Sequence, residues 1–157
     1  MPEQKELLQE FQKFSLSAPT AESLMQHVSD RLHQEKSRFN WIGFYLIAKD
    51  DPNVLEVGPY TGSFTPHTRI PLHEGLCGAA ASTGKPVVVN DVSKDPRYFA
   101  GTDLVKSEMV VPFFAGKRVV GELDINSYFL GTFTPQEQEF VEACATLVGR
   151  YFEKHPR

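Results

Sequence analysis

The chain has two cysteines, and Cys77 sits between glycines in "LHEGLCGAAASTGKP" (Leu72 to Pro86). A thiol in the first turn of a helix feels the positive end of the helix dipole, which lowers its pKa and favours thiolate chemistry. The competing role is packing. Gly-x-Cys-Gly-Ala-Ala offers small residues where a helix approaches its neighbours closely, and unreactive cysteine behaves as a small apolar residue. His73 stands four residues before Cys77, a spacing open to a Cys-His pair or to two metal ligands. No third or fourth ligand is near in sequence, so no metal is expected. Cys144 falls on the apolar stripe of the last helix and reads as packing. Two cysteines with no C-x-x-C or H-E-x-x-H spacing make neither a secreted disulfide framework nor a familiar zinc motif.

The second concentration of chemistry is acidic. "SEMVVPFFA" and "VVGELDINS" read as consecutive strands, and two turns can join them. A two-residue turn at Gly116-Lys117 places Met109 opposite Asp124 and Val111 opposite Glu122. A three-residue turn, 116–118, pairs Met109 with Ile125, Val111 with Leu123 and Phe113 with Gly121. Only the second register yields one apolar face, and it is the one expected. It sets Glu108 across from Asn126 and Val110 across from Asp124. Glu108, Glu122, Asp124 and Asn126 then share the other face, a heavy polar load for interior strands. Glu108 and Asp124 are candidates for a carboxylate pair that does acid–base work or holds a ligand, against a hydrogen-bonded polar patch.

The elements that must position these groups follow from periodicity. Residues 3–15 carry Leu7, Leu8, Phe11 and Phe14 at helical spacing, and Pro19 ends that helix. A second helix starts at Thr20 as N-cap, with Ser23 where a capping box would want Glu, and Leu24, Val28 and Leu32 as its stripe. "FNWIGFYLIAK" reads as a strand apolar on both faces, hence central. Phe39, Trp41, Gly43, Tyr45 and Ile47 are expected on one face, and Ile42, Phe44 and Leu46 on the other. "VLEVGPYTG" is a second strand, "TRIPL" a short third, "GLCGAAASTG" a small-residue helix and "PVVVND" a further strand. "DVSKDPRYFAGTDLV" is long and irregular, the kind of segment that covers a site. Thr134, Pro135 and Glu137 start the last helix, whose stripe is Phe140, Cys144, Leu147 and Tyr151.

At 157 residues, with 41% hydrophobic and 23% charged, the chain suits one soluble domain with one core. A net charge of −4 argues against nucleic acid or an anionic membrane as partner. The polar start lacks the apolar region of a signal peptide, and the longest apolar run, "MVVPFFA", is too short to span a bilayer. A cytoplasmic protein is expected.

"NWIGFYL", "TRIPLHEGLCG", "SEMVVPFF" and "GELDINS", in this order and spacing, resemble a GAF domain over essentially the whole chain, 1–157. Among GAF domains they resemble the free methionine-R-sulfoxide reductases. The resemblance implies an α+β fold, a central antiparallel sheet with N- and C-terminal helices on one face and a ligand pocket on the other. It also implies three pocket cysteines. Here only Cys77 matches one of them; the other positions hold His67 and, at the attacking thiol, Gly101. The family's amino-group site matches Glu108, Asp124 and Asn126, with an amide in place of one carboxylate, and its pocket aromatics match Trp41 and Tyr45. Two acids and an amide can hold an ammonium group by charge-assisted hydrogen bonds. Arg69 could meet a ligand carboxylate, against a solvated or structural partner.

The expected function is a module that senses or sequesters a small amino-acid-like ligand, without the usual thiol cycle and with no cofactor. The alternative is a one-cysteine reductase in which Cys77 attacks and an external thiol, such as a thioredoxin-type donor, resolves it. A homodimer through the amphipathic terminal helices is a third expectation.

Overall fold

The computed structural model describes residues 3–99 and 102–157. Two helices open the chain, α1 (Gln4–Ser17) and α2 (Ala21–Glu35). Both are amphipathic. Leu7 and Phe11 of α1 and Leu24, Met25, Val28 and Leu32 of α2 are buried. Ser23 does complete the capping box at Thr20. Its backbone N–H donates to Thr20 Oγ1 and its hydroxyl accepts from the Thr20 N–H, so the short hydroxyl serves where Glu was the expected residue.

Strands β1 (Trp41–Ile47), β2 (Val54–Gly62) and β3 (Arg69–Pro71) precede helix α3 (Gly75–Thr83). Strands β4 (Val87–Val89), β5 (Ser107–Ala115) and β6 (Arg118–Ser127) and helix α4 (Pro135–Lys154) follow. The six strands form one antiparallel sheet in the order β3-β2-β1-β6-β5-β4. The arrangement is α+β. Among the described residues, no helix is long and apolar enough to cross a membrane.

The β5–β6 register is the expected one. Glu108 faces Asn126, Met109 faces Ile125, Val110 faces Asp124 and Phe113 faces Gly121. The turn that produces it differs. Ala115 pairs with Arg118 across a two-residue turn at Gly116-Lys117, and a bulge between Phe113 and Phe114 supplies the extra residue. Gly116 has φ 64 while Lys117 does not have positive φ, the pattern of a II′ hairpin turn. A tight turn plus one bulge therefore reaches the same register as a three-residue loop.

The sheet separates two apolar layers. On one side Ile42, Phe44, Leu46, Met109, Val111, Leu123 and Ile125 pack with α1, α2 and α4. On the other, Trp41, Tyr45 and Val110 pack with α3 and the loops around it. Phe39 was expected beside Trp41 but joins the helix side, 5.8 Å from Phe133. It precedes the first strand residue, so strand alternation does not reach it. Helix α4 is capped by Thr134, which accepts from the Glu137 N–H. Its buried face is centred on Val141, Cys144, Val148 and Phe152, with Leu147 at the margin.

Candidate functional site

The side of the sheet away from the terminal helices carries a small cavity of about 30 Å³, partly open to solvent. Trp41 and Tyr45 form one wall, because alternate residues of β1 share a face. Gly43 between them makes room for the indole. A Cβ there would lie 2.4 Å from Cη2 of Trp41 and 2.7 Å from Cβ of Tyr60. The ring therefore lies flat over β1, stacked with Tyr60 at 5.4 Å and Phe64 at 5.2 Å between centroids. Its buried Nε1–H has no hydrogen-bond partner among the described residues. The Tyr45 hydroxyl donates to the His67 carbonyl at 3.1 Å, tying β1 to the loop before β3.

The floor is anionic. Glu108 on β5 and Asp124 and Asn126 on β6 line the cavity, each buried. Asn126 Nδ2 donates to Asp124 Oδ1 at 3.2 Å, and the Cys77 thiol approaches Asp124 Oδ2 at 3.5 Å. Burial, then repulsion from Asp124, pushes the Glu108 carboxyl well above its usual range. Asp124 is also pushed up by burial, an effect opposed by its hydrogen bonds with Glu108, Cys77 and Asn126. Beneath them lies Glu122, fully buried, with neither carboxyl oxygen hydrogen-bonded among the described residues. Burial, then the Asp124 charge, raises it strongly; the nearby Cys77 thiol only partly offsets this. No lysine or arginine is among the described residues lining the cavity.

Cys77 faces this cavity from the first turn of α3 and is 5% exposed. Its helix-start position left a thiolate role open beside the packing one. Burial, followed by repulsion from Asp124, Glu122 and Glu108, pushes the thiol well above its usual value. Burial, with three carboxyls nearby, outweighs one helix end. The close-packing role also holds. A Cβ on Gly78 would lie 2.7 Å from the Leu72 carbonyl oxygen, so the helix start is pressed against the chain before it.

Several sequence candidates lie elsewhere. Arg69 projects to the surface, paired with Glu56 and with Asp50 at 3.3 Å, and does not line the cavity. The strand is short and at the sheet edge, so its outward face meets solvent and local acids. The His73 side chain is 80% exposed and lies 3.7 Å from Glu74, so it makes no pair with buried Cys77. Cys144 is buried among the terminal helices on the opposite side of the sheet. Gly101 lies outside the described residues. His67 does line the cavity and stacks on Phe99 at 4.1 Å.

Phe64 and Phe99 were not singled out by sequence, and both line the site. Phe99 belongs to the irregular segment read as a cover, which was the available signal. Phe64, in a turn, left none.

The sequence profile of the GAF domain family matches residues 18–153. "GAF domain-containing protein A" of Dictyostelium discoideum is 35% identical over 115 residues, 73% of this chain and 71% of the relative. The free methionine-R-sulfoxide reductase of Saccharomyces cerevisiae is 34% identical over 131 residues, 83% of this chain and 71% of the relative. The structure of free methionine-R-sulfoxide reductase from Neisseria meningitidis, solved with its substrate, superposes with a TM-score of 0.90. It is 28% identical, with 98% of this chain and 92% of that chain covered.

Proposed function

Since this chain belongs to the GAF domain family and is related to its free methionine-R-sulfoxide reductases, we propose that it binds a small free amino acid through the ammonium group. One observation carries the reading. A buried floor of Glu108, Asp124 and Asn126, with Glu122 below, has no basic residue among its described lining neighbours. An ammonium would meet charge-assisted acceptors there. Trp41 and Tyr45 offer an apolar wall for the ligand's side chain, and the lone indole N–H offers a donor to an oxygen upon it. That combination suits methionine and its sulfoxides. Asn126, an amide where the related enzymes are expected to hold an acid, weakens the grip on the ammonium. The fold as a whole acts as one sensing or sequestering domain over 1–157. The usual three-thiol cycle is missing, because Cys144 is the only other cysteine and lies across the sheet.

The test is a thermal-shift panel of methionine, its two sulfoxides and other amino acids, with chelator present. Stabilisation by an amino acid and not by its N-acetyl derivative supports the reading. No shift with any member defeats it.

Cys77 at the cavity favours a second reading, a one-thiol reductase. The thiolate would attack the sulfoxide sulfur, and oxygen transfer would leave a thioether and a Cys77 sulfenic acid. An external thiol, of thioredoxin type, would then form a mixed disulfide with loss of water, and a second would free Cys77. Turnover of free methionine-R-sulfoxide with dithiothreitol that is abolished in Cys77→Ser would establish it; an equal rate in both proteins would remove it. Pairing of two copies through α1 and α4, in the cytoplasm, is compatible with either reading and is read by sedimentation at micromolar concentration.

A further inference from the structure

We propose that Cys77, Glu108 and Asp124 form a divalent-metal site of zinc type, with the unpartnered Glu122 carboxyl beneath it. The three residues come from α3, β5 and β6, and one ligand atom from each lies within 4.8 Å of the others. All three are buried, so the group is held by the sheet and by the helix pressed onto it.

Glu122 is the independent observation. It is 0% exposed, it shares the β6 face with Asp124, and both oxygens lack a hydrogen-bond partner among the described residues. A buried carboxyl left in this state costs free energy unless a cation or a proton compensates it. Tyr45 stands opposite it on β1 with its hydroxyl given to the His67 carbonyl, and the nearby Asp124, Glu108 and Cys77 add further acid and a thiol.

The donor set selects the metal. A thiolate is a soft ligand that disfavours magnesium and calcium, and two carboxylates with one thiolate suit a compact four-coordinate ion. All three donors also line the cavity, which leaves a fourth position open to water or to a donor atom of a small molecule. Binding would displace the protons these groups carry, so affinity should rise with pH. The site goes beyond the amino-acid reading and competes with it, because the cation would occupy the same two carboxylates that would receive an ammonium.

The experiment titrates the full chain, reduced and stripped with chelator, with Co²⁺ alone and then with Zn²⁺ alone. One equivalent of Co²⁺ should produce a thiolate-to-cobalt charge-transfer band in the near ultraviolet, and Zn²⁺ should abolish it. Cys77→Ser should lose the band, whereas Cys144→Ser should keep it. Glu122→Gln should weaken Zn²⁺ binding by roughly tenfold, because it removes a negative charge close to the cation. No thiolate band in the wild-type chain overturns the proposal without recourse to any variant, and so does a band that persists in Cys77→Ser. Amino-acid binding measured in chelator is unaffected by that outcome, so the two readings fail separately.

Discussion

The Cys77 thiol approaches Oδ2 of Asp124 at 3.5 Å, from the first turn of α3 to the middle of β6. Asp124 receives the Asn126 amide on its other oxygen, so this one carboxyl joins the helix start to the acid floor. The geometry makes Cys77 a hydrogen-bond donor, held as a thiol by burial and then by the carboxyls around it.

Cys77 should therefore be slow to alkylate. Iodoacetamide at pH 8 should modify it far more slowly than an unhindered cysteine, and denaturant should erase the difference. Diamide should produce no internal disulfide, because Cys77 and Cys144 lie on opposite sides of the sheet, beyond the ~7 Å Cα reach of that bond. Intact-mass analysis before and after oxidation checks both expectations.

Glu122→Gln should stabilise the metal-free, ligand-free protein at pH 8. The buried Glu122 carboxyl is raised above its ordinary value of 4.5, so the native state binds its proton more tightly than the unfolded chain. The native state therefore loses stability as pH rises from about 4.5 toward the raised value, and the neutral amide does not. A gain of about 2 kcal/mol, or roughly 4–8 °C in Tm, is expected at pH 8. It should shrink steadily as the pH is lowered to 4.5; a Tm difference independent of pH would contradict it.

Gly43→Ala should damage the wall rather than the floor. The new methyl would overlap the Trp41 ring, which is backed by Phe64 and Tyr60 and has little room to withdraw. Overpacking of this kind costs about 1–3 kcal/mol. Urea denaturation and tryptophan emission should change together, and any amino-acid thermal shift should fall with them.

Glu108→Gln should weaken an ammonium ligand by roughly 10–100-fold, the equivalent of one charge-assisted hydrogen bond worth about 1.5–3 kcal/mol. Asn126→Asp should act in the opposite direction by returning a carboxylate to the floor. Calorimetric titration with methionine and with the sulfoxide found strongest in the panel reads both. Equal affinity in all three proteins would place the ammonium elsewhere.

Alternation in the sequence was enough to place Trp41 with Tyr45 and to align Glu108 with Asn126, because side-chain direction in a strand follows from counting residues. It failed at Phe39, two residues before the regular pairing begins, and it reached the hairpin register through the wrong turn. A bulge is a local exchange between backbone geometries with the same outcome for side chains, so the hydrophobic pattern does not distinguish it from a longer loop. Phe64 and Phe99 enter the site from irregular segments, where no period exists to read.

The α+β class, the order of elements, the acid face and the position of Cys77 at a close-packed helix start are all legible in the residues. Each follows from near-neighbour rules of period, capping and side-chain size. Tertiary structure alone decided the state of those groups. It turned Arg69 outward to Glu56 and Asp50, set Cys144 across the sheet, and buried Glu122 with no hydrogen-bond partner among the described residues. The physical reason is that ionisation and binding depend on what distant segments bring near a group. Burial against the sheet, with three carboxyls converging on Cys77 from β5 and β6, reverses what its helix end alone would favour.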